Sequence, residues 1–356
     1  MSQVTTEPKA DVETGTAIDN VVEIDDLHVQ FRTRLGVVRA VNGVSLDVPR
    51  GKVLGVVGES GCGKSIMALA VMQLVPPPGE ITRGRISLRP AGHTPIDVLE
   101  HGRNSPEMRA VRGDYVGMIF QEPMTSLNPC YTVGDQIAEG ILLHQTPDKA
   151  EARRRTIDII DRVGLPKPAE LARRYPHELS GGMRQRAMIA LALSCRPDLL
   201  IADEPTTAID VTTQAQILDV MRDLQATSGM SILFITHNLG VIAQMADDVA
   251  VMYLGKIVER APVTAIFGAP QHPYTRALLD SIPLFGSRQK KRLRVIAGSV
   301  PGSYTQVPGC PFHPRCPHAK RGVCDVLSPT LQPLGGGVEV SCFLHHAPTE
   351  VARAAA

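Results

Sequence analysis

Apolar and polar positions begin to alternate at Val21, where VVEIDDLHVQF reads as a half-buried strand; VNGVSLDV repeats the pattern. GKVLGVVG is different. Its apolar run is nearly unbroken, which predicts a strand covered on both faces, and KSIMALAVMQLV after it carries apolar residues at helical spacing. PPPGEITRG reads as a loop. From about residue 107 to residue 196 the text is mostly helical and polar, including the Arg-rich KAEARRRTIDIIDRVG. DLLIADEP and SILFITHN are short buried strands with the helical TTQAQILDVMRDLQATSG between them, and VAVMYLGKIVER is a strand pair. This alternation predicts a largely parallel α/β sheet. From about His272 the text turns to Pro, Gly, His and Cys, which puts a domain boundary between Gly268 and Pro283. No internal repeat is visible, so the chain holds one such unit.

The 356 residues are 43% hydrophobic, enough for a sizeable core. Only 4% are aromatic, with no Trp, and the net charge is +1. Stacking platforms and bulk positive charge are both lacking, so no nucleic-acid partner is expected. MSQVTTEPKADVETGTAIDN has no basic start followed by an apolar stretch, and residues 1–21 read as a disordered arm rather than a signal peptide. No apolar run approaches the length of a membrane span. A chain kept in the cytoplasm is expected, where seven cysteines would not form structural disulfides.

The chemistry starts at VVGESGCGKS. Gly58, Glu59, Ser60, Gly61, Cys62, Gly63, Lys64 and Ser65 fit G-x-x-x-x-G-K-[ST], and the setting is strand, loop, helix. Such glycines let successive backbone N–H groups face phosphate oxygens, and the helix adds its positive end. Lys64 is expected to reach the β- and γ-phosphates and Ser65 Oγ to ligate Mg²⁺. LLIADEP supplies a second element: a buried strand delivers two acids at its end, where ligands bind in open α/β sheets. Asp203 is expected to hold Mg²⁺ through a water and Glu204 to polarise the attacking water. Adjacent carboxylates there are costly without a cation. LSGGMRQR is the third: Ser180 caps a helix while Gly181 and Gly182 free the backbone, making another anion site.

A phosphate loop with a second anion-binding helix start resembles the ATP-binding subunits of ABC transporters. LSGGM corresponds to the family signature, with Met183 where Gln is usual. Gln121 in IFQEP is similar to the Q-loop residue that ligates Mg²⁺ and senses the membrane subunit. Asp210 in TTAIDVT matches the D-loop, with Ile209 where Leu is usual, and His237 in FITHN matches the switch histidine that contacts the γ-phosphate. Phe31 corresponds to the aromatic that stacks on adenine, and Ile66 stands where many members have Thr. The resemblance implies ATP and Mg²⁺ as cofactors. It implies a P-loop ABC ATPase domain over residues 22–268, with a RecA-like parallel-sheet core, a β-subdomain and an inserted helical subdomain over about 107–196. It also implies a second ATPase subunit, because the loop of one subunit faces the signature of the other; a heterodimer is expected ahead of a homodimer.

FQEPMTSLNPCYTVGDQI and QHPYTRALLDSIP resemble segments of oligopeptide and dipeptide importers, a group that also handles oligosaccharides, opines and nickel. The resemblance extends over about residues 22–345. It implies a subunit peripheral to the cytoplasmic face of a bacterial inner membrane, working with two permease subunits and, indirectly, an extracytoplasmic solute-binding protein. A soluble ABC ATPase unconnected with transport is the rival reading.

Cys310, Cys316, Cys324 and Cys342 lie in a Cys-rich C-terminal extension over residues 269–356. A segment with so little apolar content needs a staple. Tight C-x₂₋₄-C zinc pairs are absent, and four widely spaced thiols suit a [4Fe–4S] cluster, with Zn²⁺ as the alternative. Such a cluster is also implied by the resemblance to peptide-importer ATPases. It is expected to be structural and to share no residue with the ATP site. Cys62, Cys130 and Cys195 read as ordinary thiols, with Cys62, inside the phosphate loop, open to alkylation.

Overall fold

The computed structural model describes residues 19–121, 126–207, 210–282 and 296–348. Most of the N-terminal arm, Ile209, Pro283 and part of the segment after Gln121 lie outside the described residues.

Two sheets organise the chain. The smaller has the order β2-β1-β4-β5, from β1 (Asn20–Thr33), β2 (Gly36–Pro49), β4 (Gly79–Leu88) and β5 (Ile96–Asp97). All its pairings are antiparallel. Alternation in β1 and β2 does what the pattern predicts: Val22, Ile24, Leu27 and Val29 of β1 are buried, with polar neighbours between them. The stretch read as a loop at PPPGEITRG instead runs into β4 from Gly79. Its exposed polar residues hide a strand whose partners in β1 lie 48 to 66 positions away.

The larger sheet has eight strands. They are β3 (Val53–Val57), β6 (Val116–Ile119), β7 (Leu199–Asp203), β8 (Ser231–Thr236), β9 (Asp248–Tyr253), β10 (Lys256–Pro262), β11 (Gln332–Gly335) and β12 (Val338–Val340). The order is β11-β12-β10-β9-β3-β8-β7-β6. Five adjacent strands, β9 to β6, are parallel, and every residue of β3, β7 and β8 is buried. That explains why they read as continuous apolar runs. The sheet is mixed rather than largely parallel, because β10, β12 and β11 add on antiparallel. β6 also corrects the reading of residues 107–196 as a helical block. Four residues of core strand sit inside it, pairing Val116–Ile119 with Leu199–Ala202.

The helices Val133–His144, Lys149–Arg162 and Gly181–Leu193 form the inserted helical layer. Each begins on a side-chain cap: Thr132, Asp148 and Ser180 accept backbone N–H groups. The Arg-rich helix buries Ala152, Thr156, Ile159 and Ile160 on one stripe, while Arg154 and Arg155 face Glu151 outside it.

The segment after Gly268 continues the core. The helix Pro273–Asp280 buries Tyr274, whose ring lies 4.6 Å from Tyr253 and 5.3 Å from Phe312. Tyr253 and Phe312 close the triad edge to face at 5.3 Å, so three large rings bind this segment to β9. Glu259 on β10 accepts the N–H groups of Gln271 and His272 at 2.7 and 2.8 Å. Among the described residues no helix is long and apolar enough to cross a membrane.

Candidate active site

Four neighbouring parallel strands end on one edge, and each delivers part of the predicted set. Val57 of β3 pairs with Thr236 of β8, Ile235 with Asp203 of β7, and Ala202 with Ile119 of β6. Residues just past those ends are therefore brought together: the loop Gly58–Ser65, then His237, Asp203 with Glu204, and Gln121. This is the carboxyl edge at which open α/β sheets bind ligands.

The loop is shaped by close backbone approach. A Cβ on Gly63 would stand 2.0 Å from the Ala40 carbonyl, and one on Gly58 would stand 2.1 Å from the Met252 carbonyl. Gly63 also sits at φ 104°, a left-handed conformation that glycine alone adopts cheaply, and it starts the helix Lys64–Val71. The helix N-terminus thus faces the loop interior. Lys64 is buried and folds back, its Nζ donating to the carbonyls of Gly58 at 2.8 Å and Glu59 at 3.1 Å. Those bonds hold the ammonium at the place where a phosphate would compete for it.

Asp203 and Glu204 behave differently despite being adjacent. Burial pushes the Asp203 carboxyl up, opposed by a hydrogen bond from Ser65. Its Oδ1 is buried without a hydrogen-bond partner. An orphaned carboxylate oxygen beside a serine hydroxyl fits Mg²⁺, which would supply the missing counter-charge. Burial also pushes Glu204 up, but hydrogen bonds from His237 and Thr207 outweigh it and hold the carboxyl below its ordinary range. His237 Nδ1 lies 3.0 Å from Glu204 Oε1, and Thr207 Oγ1 and Gln121 Nε2 donate to Oε2 at 2.9 and 3.4 Å. Glu204 is ionised at neutral pH, with its orientation fixed from three sides. Its φ of 48° is unusual for a non-glycine residue, and such strain concentrates at functional turns. His237 remains 56% exposed and can reach a ligand.

The signature residues sit elsewhere. Ser180 Oγ accepts from Met183 N at 3.4 Å, a Cβ on Gly181 would meet nothing within 4 Å, and one on Gly182 would meet Thr213. Thr213 belongs to the helix Val211–Ser228, which Asp210 caps by accepting Thr213 N at 2.9 Å and Thr213 Oγ1 at 2.7 Å. Gln185, buried on the signature helix, donates to the Pro205 carbonyl just past Glu204. Nothing in the motif reading singled out Gln185 or Thr207. Their roles depend on contacts between elements.

The Phe31 ring approaches Gly79, and the strand segment next to Gly63 is that of Ala40. Ile66, in the first turn after the loop, packs against the core cluster of the small-sheet side. Cys62 is buried and its thiol is pushed up by burial, which disfavours the alkylation expected there. N-ethylmaleimide should label the exposed Cys130 well ahead of Cys62, as read by peptide mass mapping; first labelling at Cys62 would contradict this placement.

The segment after Gly268 touches the loop directly, against the expectation of separate sites. The Tyr274 hydroxyl accepts Glu59 N–H at 2.9 Å, and Arg315 binds the Glu59 carboxylate with two nitrogens at 2.7 and 3.2 Å. Cys310, Cys316, Cys324 and Cys342 line one pocket with His272 and Phe312. Among the described residues, however, no three His, Cys, Asp or Glu side chains are gathered closely enough to hold a metal as they stand.

Residues 41–207 match the ABC transporter family, and residues 258–324 match the oligopeptide/dipeptide transporter C-terminal region. The dipeptide transport ATP-binding protein DppD of Bacillus subtilis is 45% identical over 328 residues, 92% of this chain and 95% of the relative. DppD of Escherichia coli is 46% identical over 322 residues, 90% of this chain and 96% of the relative. Among solved structures, the dimeric ATP-binding cassette MJ0796 bound to ADP and Pi superposes with a TM-score of 0.60 at 23% identity, covering 68% of this chain and 98% of that one; this supports the fold. With the phosphate loop, the paired acids and the signature helix in place, and with matches that run nearly end to end, the chain belongs to the ATP-hydrolysing subunits of ABC transporters, in the oligopeptide/dipeptide branch.

Proposed function

We propose that this chain powers the import of oligopeptides or dipeptides through a membrane ABC transporter. One observation carries the reading: the Gly58–Ser65 loop, Asp203, Glu204, Gln121 and His237 converge on a single sheet edge, in a chain that continues into a peptide-transporter C-terminal region. The loop backbone and Lys64 bind the ATP phosphates. Ser65, Asp203 and Gln121 are the residues to hold Mg²⁺, which neutralises charge on the transferring phosphoryl when bound. Glu204 orients the attacking water by accepting its hydrogen bond, and His237 holds Glu204 while facing the γ-phosphate. Ser180, Gly181, Gly182 and Asp210 serve the ATP of a second ATPase subunit, a different chain ahead of a second copy. Two permeases carry the motion, and a solute-binding protein delivers the peptide on the far side. The chain is peripheral to the cytoplasmic face of a bacterial inner membrane. Residues 22–268 are its ATPase domain and residues 269–356 its extension.

Cys310, Cys316, Cys324 and Cys342 are proposed to hold a [4Fe–4S] cluster, with Zn²⁺ the alternative. All four line one pocket, and burial pushes the Cys310 thiol up to about 12, so without a cation its proton stays on. A metal centre supplies the charge that draws the protons off.

The test is reconstitution with the partner ATPase and permeases in proteoliposomes. ATPase activity should be low for the dilute chain alone and should rise when binding protein loaded with a dipeptide is added outside. Stimulation by nickel- or oligosaccharide-loaded protein in its place would reassign the solute. Full activity in a strictly monomeric sample would exclude the paired site.

A further inference from the structure

We infer that Arg315, contributed by the segment after Gly268, is a positioning residue of the ATP site: it holds the Glu59 carboxylate back from the incoming phosphates. Glu59 is the second residue of the phosphate loop and the one acid within it. A carboxylate in a loop that binds a polyanion is a liability, since like charges disfavour each other strongly where water is partly excluded. The side chain is held. Arg315 donates Nη1 to Glu59 Oε2 at 2.7 Å and Nη2 to Oε1 at 3.2 Å, the bidentate geometry that suits guanidinium and carboxylate. The pair is sheltered, with side-chain exposures of 4% for Arg315 and 26% for Glu59.

Arg315 is itself fixed from three further directions. Its Nη1 reaches the Tyr253 hydroxyl at 3.3 Å, its Nε donates to the Ala297 carbonyl at 3.2 Å, and its guanidinium carbon stands 5.9 Å from the centre of the Tyr253 ring. Glu59 is gripped in turn at each of its polar groups. Its N–H goes to the Tyr274 hydroxyl, its carbonyl accepts Lys64 Nζ, and its carboxylate takes Arg315. Two of those three partners, Tyr274 and Arg315, lie beyond Gly268. Lys64 is thus the only partner of Glu59 among them that must move when phosphate enters, and the loop around it is already braced. The segment after Gly268 therefore does more than extend the sheet: it completes the charge balance of the phosphate loop. The inference rests on the ATP site alone and does not depend on which solute is carried or on any metal.

The experiment uses the full chain, with ATP and Mg²⁺ as the probe. ATP affinity is read by equilibrium titration, and KM and kcat are read in the reconstituted transporter. Arg315→Met should weaken ATP about tenfold, the effect of losing one charge-assisted hydrogen-bond pair. KM should rise with kcat held within about twofold, since Glu204 and His237 are untouched. Adding Glu59→Gln to Arg315→Met should return most of the lost affinity, because the uncompensated charge is then gone. An anchor that only fastens the C-terminal segment would give no such rescue. Should Arg315→Met fail to fold, Arg315→Lys, which keeps a positive charge on the carboxylate, should cost less than about threefold. Wild-type affinity in folded Arg315→Met, an unrescued double variant, or a tenfold loss in Arg315→Lys would each overturn the inference.

Discussion

Glu204→Gln is expected to leave ATP binding intact and to cut turnover by about 10²-fold or more, the usual cost of losing a positioned base or water-orienting carboxylate. The substitution is nearly isosteric. Thr207 Oγ1 and Gln121 Nε2 now donate to Oε2, and His237 Nδ1 faces Oε1, so an amide oxygen at Oε2 keeps both donors, and the amide nitrogen can donate to His237 Nδ1 in its Nε2–H tautomer. What disappears is the negative charge and the strongest acceptor for a water proton. Lys64, the loop backbone and Asp203 are unaffected, and they are the groups proposed to bind phosphates and Mg²⁺. Asp203 has the less suitable chemistry for the catalytic role, since burial raises its pKa and its free oxygen is the one fitted to a cation. Single-turnover hydrolysis with radiolabelled ATP separates binding from chemistry. A near wild-type rate in Glu204→Gln would move the role to another group.

The phosphate loop, the paired acids and the signature helix could be read from the text because each is a local pattern. Close backbone approach forces glycine at 58 and 63, and strand burial forces the apolar runs before Gly58, Asp203 and His237. Their convergence followed from one rule, that parallel strands present their carboxyl ends together. Elements defined by distant partners were illegible. β4 starts within a Pro- and Gly-rich stretch, β6 is four residues long inside a helical region, and β12 takes its place by pairing with β10 some eighty positions earlier. The neighbour of Phe31 was equally hidden: it stands opposite Gly79 in the β1–β4 register, and its ring approaches that glycine. Arg315 and Tyr274 carry no motif at all. Only the folded chain puts a guanidinium 256 positions away onto the loop's single acid.

On the proposal of a C-terminal [4Fe–4S] centre, Cys316→Ser is expected to abolish iron binding at the pocket and to weaken ATP binding as well. Protein prepared without oxygen should be brown and carry about four irons per chain, and the serine variant should lose both, because a neutral hydroxyl is a poor ligand for iron in place of a thiolate. The effect on ATP follows from geometry. Cys316 ends the short turn His313–Arg315, its N–H bonded to the His313 carbonyl at 3.3 Å, so the residue before it is the one that grips Glu59. Releasing the thiol from the proposed centre would free that turn, and the guanidinium would lose part of its fixed position. Iron content, visible absorption and ATP affinity are therefore to be measured on the same sample. Colourless wild-type protein with one zinc would hand the pocket to Zn²⁺, and unchanged iron in Cys316→Ser would remove this cysteine from the ligand set. Iron lost with ATP affinity unchanged would show that the aromatic triad of Tyr253, Tyr274 and Phe312 fixes the Arg315 turn unaided, which places the brace in side-chain packing rather than in the metal.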